Sequence, residues 1–228
     1  MQASADPEST VRPQPRALMS LNRFEAFSDG VFAIAMTLLV VDLKMPELAQ
    51  STPAEAVSRL LAIWPQVLSY VTSFSVIGVI WLNHHTLFHF LKRVDRATLI
   101  LNLALLLCVA FIPYVTAIMG HYSHLQPVVV FFGLVLALTG AVYNGLWFYI
   151  VRRYIIPERL LRREYLRVAS IRIGLWPLVY VFAAALSLIN TWLSITVYIL
   201  IPIAYLFPGT IDKGLREGRI SPPSAPAG

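Results

Sequence analysis

The sequence contains few charged residues, and this scarcity argues against an ordinary soluble domain. Asp, Glu, Lys and Arg make up 13% of its 228 residues, whereas hydrophobic residues make up 57%. Soluble domains have roughly 25% charged residues. The apolar residues fall in long continuous blocks, which indicates membrane-spanning helices, whereas the strands of a membrane barrel alternate over about ten residues. We therefore expect an all-α polytopic membrane protein.

Cysteine is almost absent, and neither the charge nor the N-terminus points to another class. The single cysteine, Cys108, lies in an apolar block, so a disulfide framework within the chain is excluded. The net charge of +6 comes from basic residues in short connections between apolar blocks. That is the positive-inside pattern of membrane proteins rather than a nucleic-acid surface. The first twenty residues lack the hydrophobic core of a signal peptide.

Six apolar segments approach or reach the length of about twenty residues that a spanning helix needs. They cover residues 22–43, 64–89, 97–119, 125–151, 168–189 and 192–208, and the last is short. Connections rich in Lys and Arg alternate with connections that have few or none. By the positive-inside rule, this alternation predicts that both termini lie in the cytoplasm. We expect a disordered cytoplasmic arm over 1–20, a six-helix transmembrane domain over 21–210 and a cytoplasmic tail over 211–228. The connections are too short for a folded enzyme domain, so we expect no enzyme.

The first segment has two different faces. The stripe along one side lies within an arc of about 100° on a helical wheel and contains Arg23, Phe27, Gly30, Ile34, Thr37, Leu38 and Val41. Ser28 and Asp29 lie towards the other side, where a hydroxyl and a carboxylate need partners inside a membrane. On spacing alone, an apolar stripe is more often a packing or lipid-facing surface than a pore. For Asp29, a structural hydrogen-bonded role and a role in transport both fit the sequence.

Partners for these polar groups occur in the next two segments. Trp81 and His84 are three residues apart in "WLNHHTLF" and therefore share a helix face. Asn102, in "RATLILNLALL", falls at a similar depth. We expect one hydrogen-bonded cluster that joins three helices, with Arg23 as a counter-charge. Its members are Ser28, Asp29, Trp81, His84 and Asn102.

The segment "RFEAFSDG", residues 23–30, resembles the RxxxFSDG signature of the lysosomal/endosomal potassium channel family. The continuation "VFAIAMTLLVVDL", the later "WLNHHTLF" and Asn102 are also similar, so the motifs cover about residues 22–120. Bacterial members have a single six-helix unit. The resemblance implies four such units around one axis, hence a homotetramer in a prokaryotic plasma membrane. It implies passive conduction of potassium and other monovalent cations, with neither cofactor nor metal.

The same resemblance implies roles for residues of the first segment. Counted from the signature, the pore constriction would consist of Ile34, Leu38 and Val41, with Thr37 lining the pore beside them. Val41 is smaller than leucine, which implies a wider outer ring. A ring of this kind gates by excluding water. The implied structural and gating network contains Arg23, Phe27, Ser28, Asp29, Gly30, Trp81, His84 and Asn102.

Three other functions remain open at this stage. A six-helix secondary transporter or proton-coupled exchanger could use Asp29 and His84 as a proton relay, although no internal repeat of the kind common in carriers is visible. An intramembrane metal oxidase could use "HHTLFH", but the whole chain has five histidines. The third alternative is an assembly protein without transport.

Overall fold

The structure is a computed structural model that describes residues 21–44, 52–91, 93–156 and 163–206. The expected N-terminal arm and C-terminal tail lie outside these residues, as do residues 207–210 of the expected transmembrane domain. Every regular element in the described part is helical, which confirms the all-α class.

The described residues form seven α-helices in chain order. They are α1 (Leu21–Leu38), α2 (Pro53–Ala62), α3 (Trp64–Phe88), α4 (Arg96–Tyr122), α5 (Gln126–Ile150), α6 (Arg163–Leu186) and α7 (Thr191–Leu206). A 3₁₀ turn, Leu39–Asp42, continues α1, and a π-helical turn, Val151–Ile155, continues α5. The π turn shows its i→i+5 bond, in which the Ile156 amide donates to the Val151 carbonyl at 2.9 Å.

Five of these helices are long and apolar enough to cross a membrane: α1 with its 3₁₀ turn, α3, α4, α5 with its π turn, and α6. Helix α7 is apolar but has 16 residues. It is therefore about 24 Å long, shorter than a hydrocarbon core of about 30 Å. The protein is thus an integral membrane protein by this criterion, and the sixth span remains a prediction.

Helix α2 lies in the stretch that the sequence pattern predicts to be a connection between the first two spans. Its start has a clear local cause. The Thr52 hydroxyl accepts a hydrogen bond from the Glu55 amide at 3.3 Å, and Pro53 occupies the first turn. Serine or threonine followed three residues later by glutamate is a common helix start, and proline at the first position favours it.

Helix α1 lies at the edge of the bundle and packs against α3 and α4. Its inward face is formed by residues spaced three or four apart, which recur on one side of a helix. Those that are buried are Phe24, Ser28, Phe32, Ala35 and, in the 3₁₀ turn, Leu39. The Phe24 ring lies 5.3 Å from the Phe88 ring of α3. The remaining helices form a closed group, in which α4 packs on α5, α5 on α6, α6 on α7, and α7 on α3 and α5.

Small residues allow α5 to approach α6 and α7 closely. The Tyr198 hydroxyl of α7 passes over Gly133 and donates to the Val129 carbonyl at 3.0 Å. About two turns further along α5, Gly140 faces the Trp176 ring of α6. Glycine at such contacts lets membrane helices pack backbone to side chain without loss of contact area.

A charged side chain in α6 is satisfied by the end of α7. The Arg172 guanidinium donates to the carbonyl oxygens of Ala204 and Tyr205 at 3.2 and 3.3 Å, and its carbon lies 4.5 Å from the centre of the Tyr205 ring. The Tyr205 hydroxyl donates back to the Arg172 carbonyl at 2.6 Å. A cation at a helix C-terminus also interacts favourably with the negative end of the helix dipole.

The close approach at Gly133 can be tested with Gly133→Ala. The added Cβ would overlap the Tyr198 hydroxyl and lie 3.0 Å from Ala184 Cβ. Since overpacking costs typically 1–3 kcal/mol, we expect a loss of about 2 kcal/mol and a lower unfolding temperature of the detergent-purified protein. The control is Gly145→Ala in the same helix, where a Cβ meets no atom within 4 Å. Alanine there should be neutral or stabilising, and equal losses in both variants would contradict the packing described.

Candidate functional site

A buried chain of hydrogen bonds joins α1, α4 and α3 near the start of α1. The Asn102 amide nitrogen donates to Ser28 Oγ at 2.9 Å, and that hydroxyl donates to the Phe24 carbonyl at 3.1 Å. The Asn102 amide oxygen lies 2.8 Å from His84 Nε2. Because an amide oxygen only accepts, His84 carries its hydrogen on Nε2. Exposure is 0% for Ser28 and Asn102 and 1% for His84, so each group depends on these partners.

Aromatic rings fix the orientation of the His84 imidazole. It stacks on the Phe88 ring with centroids 4.2 Å apart, and the Phe32 ring of α1 lies 5.3 Å away. The imidazole is therefore held between α1 and its own helix α3, while its Nε2 points to α4. Apolar packing and hydrogen bonding select the same arrangement of the three helices.

Asp29 forms a second and separate link. The Trp81 indole nitrogen donates to Asp29 Oδ1 at 2.8 Å, and the carboxylate is half-buried. The expected single cluster is therefore divided in the described part of the chain: Asp29 and Trp81 join α1 to α3, and no hydrogen bond connects them to the Ser28, Asn102 and His84 chain. The indole also stacks on the His85 ring at 5.7 Å.

The remaining signature residues lie on the outer side of α1. Arg23, Phe27 and Gly30 are exposed. Arg23 forms no ion pair with another residue in the ranges that the structure covers, so the expected counter-charge to Asp29 is not seen there.

The apolar stripe of α1 is exposed in the single chain. Ile34 is 60% exposed, Leu38 49% and Val41 66%. Thr37 is exposed beside them, and its hydroxyl donates to the Ile34 carbonyl at 2.9 Å. Because this hydrogen is used within the helix, the oxygen lone pairs of Thr37 stay free to face outward. The two faces expected from the wheel are thus both present, one tied to neighbours and one uncovered by the bundle.

The C-terminal end of this stripe departs from the regular α-helix that the wheel assumes. After Leu38 the chain continues as a 3₁₀ turn, which advances 120° per residue instead of 100°. Val41 therefore lies above Leu38 rather than turned away from it by about 60°. The apolar stripe is straighter at this end than an α-helical wheel predicts.

A link that sequence reasoning missed lies at this end of α1. Asp42 Oδ2 is 3.4 Å from His121 Nδ1 of α4, and the same nitrogen donates to the Ala117 carbonyl at 2.8 Å. The alternation of spans predicts that both residues lie at the same end of the bundle. Their residue types do not predict which side chains of α1 and α4 lie at the same height and face each other. Together with Ser28 and Asp29, this contact gives α1 a polar neighbour near each of its ends.

A second missed cluster fixes the start of α4 at the end of the bundle where α1 begins. Asp95 accepts hydrogen bonds from the Thr98 amide and hydroxyl at 2.9 and 2.8 Å and from the Tyr149 hydroxyl of α5 at 2.5 Å. Burial raises the pKa of Asp95, but the hydrogen bonds from Tyr149, Thr98 and Tyr154 outweigh it and lower the pKa to about 2. The carboxylate is therefore ionised at neutral pH.

The described side chains of the site form neither a hydrogen-bonded path between Asp29 and His84 nor a set of metal ligands. Asp29 is bonded to Trp81 and His84 to Asn102, and no hydrogen bond joins Asp29 to His84. Across residues 21–44, 52–91, 93–156 and 163–206, no three His, Cys, Asp or Glu side chains lie close enough to hold a metal ion. The geometry instead suits the positioning of one helix whose other face is apolar.

Comparisons with known proteins agree on one family. The model of the endosomal/lysosomal potassium channel TMEM175 matches residues 23–113. The chain is 36% identical over 191 residues to a potassium channel of Streptomyces collinus, covering 81% of this chain and 91% of that protein. It is 39% identical over 193 residues to a potassium channel of Chamaesiphon minutus, covering 80% and 92%. The crystal structure of a lysosomal potassium-selective channel TMEM175 homolog from Chamaesiphon minutus superposes with a TM-score of 0.72 at 34% identity, covering 81% of this chain and 95% of that one.

The buried chain can be tested with Asn102→Leu. This change leaves the His84 Nε2 hydrogen without its acceptor and Ser28 without its donor, in a place that water does not reach. An unpaired buried polar group costs about 1–3 kcal/mol, so the unfolding temperature in detergent should fall clearly. Thr139→Val is the control, because among the described residues the buried Thr139 hydroxyl has one hydrogen-bond partner, the Val135 carbonyl of its own helix. Similar small losses in both variants would contradict a positioning role for Asn102.

Proposed function

The chain belongs to the TMEM175 family of endosomal/lysosomal potassium channels, and from this membership we propose that it is a passive, potassium-permeable cation channel. The relatives with which it aligns over most of their length are potassium channels. An ion channel needs no catalytic residue and no cofactor, and we propose none for this protein.

The observation that carries the proposal is the uncovered apolar face of α1. Ile34, Leu38 and Val41 form a continuous exposed stripe, whereas the opposite face of the same helix is buried and hydrogen-bonded. Among the described residues of a single chain, no helix covers this stripe. We propose that four copies assemble around one axis as a closed homotetramer, with the four α1 helices at the centre.

In this assembly the stripe would constrict the pore. Rings of Ile34, Leu38 and Val41 narrow enough to exclude water close the pathway by dewetting, and a small widening readmits water and ions. A cation then sheds part of its hydration shell, which costs less for potassium than for sodium. Thr37 would present its free lone pairs to the partly dehydrated ion between the rings.

The polar groups would set the position of α1 rather than touch the ion. Asp29 and Trp81 hold the helix to α3, and Ser28 and Asn102 hold it to α4. Arg23, Phe27 and Gly30 would stand at the pore entrance, on the exposed side. How far the apolar rings can separate then depends on how far these links allow α1 to move.

We propose a six-span topology over 21–210 in a prokaryotic plasma membrane, with α7 as the sixth span. The alternation of basic connections supports cytoplasmic termini, with residues 1–20 and 211–228 on that side. The direct test is flux of potassium into liposomes that contain the purified protein, with sodium as the comparison. Flux that saturates and requires a counter-substrate would instead indicate an exchanger.

The constriction is tested by Ile34→Asn. A polar side chain at the narrowest ring favours water there, so we expect potassium flux to rise several-fold and the preference over sodium to weaken. Leu107→Asn is the matched control: Leu107 is also an exposed apolar residue of a membrane helix, but it lies on α4 away from the stripe. Unchanged flux in Ile34→Asn, or an equal rise in both variants, would contradict the proposed pore.

The anchor is tested by Asp29→Asn. The amide can still accept from Trp81, but the hydrogen bond loses its charge and weakens. We expect reduced assembly or altered conductance, while the ratio of potassium to sodium flux stays within about twofold. Glu25→Gln is the control, an acid-to-amide change in the same helix at a residue without a hydrogen bond to α3. An intact assembly with normal conductance in Asp29→Asn would exclude the anchoring role.

A further inference from the structure

An open pocket lies at the arginine-bearing end of α5. It has a volume of about 450 Å³ and is lined by Leu101, Gly145, Phe148, Tyr149, Arg152 and Arg153. The side chains come from α4, α5 and the π turn, so three adjacent elements of the fold form its walls. Two guanidinium groups thus face the same space as an apolar surface.

Within the part of the chain that the structure describes, neither arginine has a carboxylate partner. Arg152 and Arg153 are exposed, and neither forms an ion pair within the described ranges. The Arg153 guanidinium carbon lies 5.7 Å from the centre of the Tyr154 ring, which orients the group without cancelling its charge. The neighbouring carboxylate, Asp95, is bonded to Tyr149 and Thr98 and not to an arginine. Among the described residues, the pocket therefore carries two positive charges that no carboxylate pairs.

An apolar track leads from the pocket along α5. Its members are exposed and spaced three or four residues apart, which places them on one side of the helix: Leu134, Leu138, Ala141, Gly145 and Phe148. From first to last they span a rise of about 21 Å, more than the roughly 15 Å that half a hydrocarbon core measures. Gly145 opens the junction of track and pocket, because a Cβ there would meet no atom within 4 Å.

We propose that this pocket binds the phosphate headgroup of an anionic membrane phospholipid, with an acyl chain lying along the α5 track. Arg152 and Arg153 donate charge-assisted hydrogen bonds to the phosphate oxygens, and basic pockets between helices at the cytoplasmic face of a membrane suit such headgroups. Tyr149 lies about one turn before Arg152 and Arg153, and tyrosine is a residue type enriched at the membrane interface. The site is distinct from the ion pathway and does not depend on it.

The test measures lipid binding to the purified full-length protein by native mass spectrometry. Phosphatidylglycerol and phosphatidylcholine with identical acyl chains are compared. We expect the wild type to bind phosphatidylglycerol at least about tenfold more tightly, and the double variant R152Q/R153Q to bind it about 30-fold more weakly, the effect of two basic groups near a membrane surface. Gly145→Phe should also weaken binding about tenfold, because the ring fills the pocket while the charge is unchanged.

Two controls match these variants. R93Q/R167Q removes two other exposed arginines from the same end of the bundle, and Gly174→Phe adds the same ring at another helical glycine whose Cβ position is open. Both should bind phosphatidylglycerol as the wild type does. Unchanged phosphatidylglycerol binding in these two control variants would distinguish a defined pocket from a general attraction between a basic protein and an anionic lipid.

Several results would overturn the proposal. Equal binding of the two lipids would remove the role of charge, and an equal loss in R93Q/R167Q would show non-specific attraction. Displacement of the lipid by an equal concentration of soluble glycerol phosphate would identify a free phosphate as the ligand. Dissociation of the assembly by R152Q/R153Q or Gly145→Phe would instead show that a second copy of the chain covers this face. Weaker phosphatidylglycerol binding in these two variants alone, with the assembly intact, would support the lipid site.

Discussion

The hydrocarbon core of a membrane offers no water to polar side chains, so the groups near the start of α1 must find partners in neighbouring helices. Asn102 satisfies two of them at once, since its amide donates to Ser28 of α1 and accepts from His84 of α3. The bond to Ser28 requires a rotation of α1 in which Ser28 faces α4. The rotation that buries Ser28 turns the opposite side of the helix outward, and that side is apolar. The exposed stripe is therefore a consequence of the buried hydrogen bonds.

Helix α1 has fewer neighbours in its own chain than the helices at the centre of the bundle. It packs against α3 and α4, whereas α5 contacts α4, α6 and α7. Polar contacts lie at both of its ends: the hydrogen bonds of Ser28 and Asp29 at one end, and the proximity of Asp42 to His121 at the other. The helix is held in place without being enclosed, which leaves one face available to other copies of the chain.

Much of this arrangement could be predicted because it depends on local periodicity. The apolar blocks gave the positions of the helices, and the wheel separated the two faces of α1. Residue type also identified Trp81, His84 and Asn102 as partners, since polar groups at equal depth must meet. The division into two clusters could not be predicted, because it depends on how α3 is rotated about its axis. The contacts of Asp42 and Asp95 depend in the same way on how neighbouring helices are aligned. The start of α2, by contrast, has a local sequence signal in Thr52 and Glu55.

The 3₁₀ turn after Leu38 has a consequence for distances along the axis. From Ile34 to Leu38 the α-helix rises about 6 Å. From Leu38 to Val41 the 3₁₀ turn also rises about 6 Å, where an α-helix would rise about 4.5 Å. The three apolar levels are therefore evenly separated by roughly two water diameters of about 2.8 Å each. In the proposed pore, the space between two levels has room for an ion and one water molecule in line, and the ion would lose its lateral hydration at one level at a time.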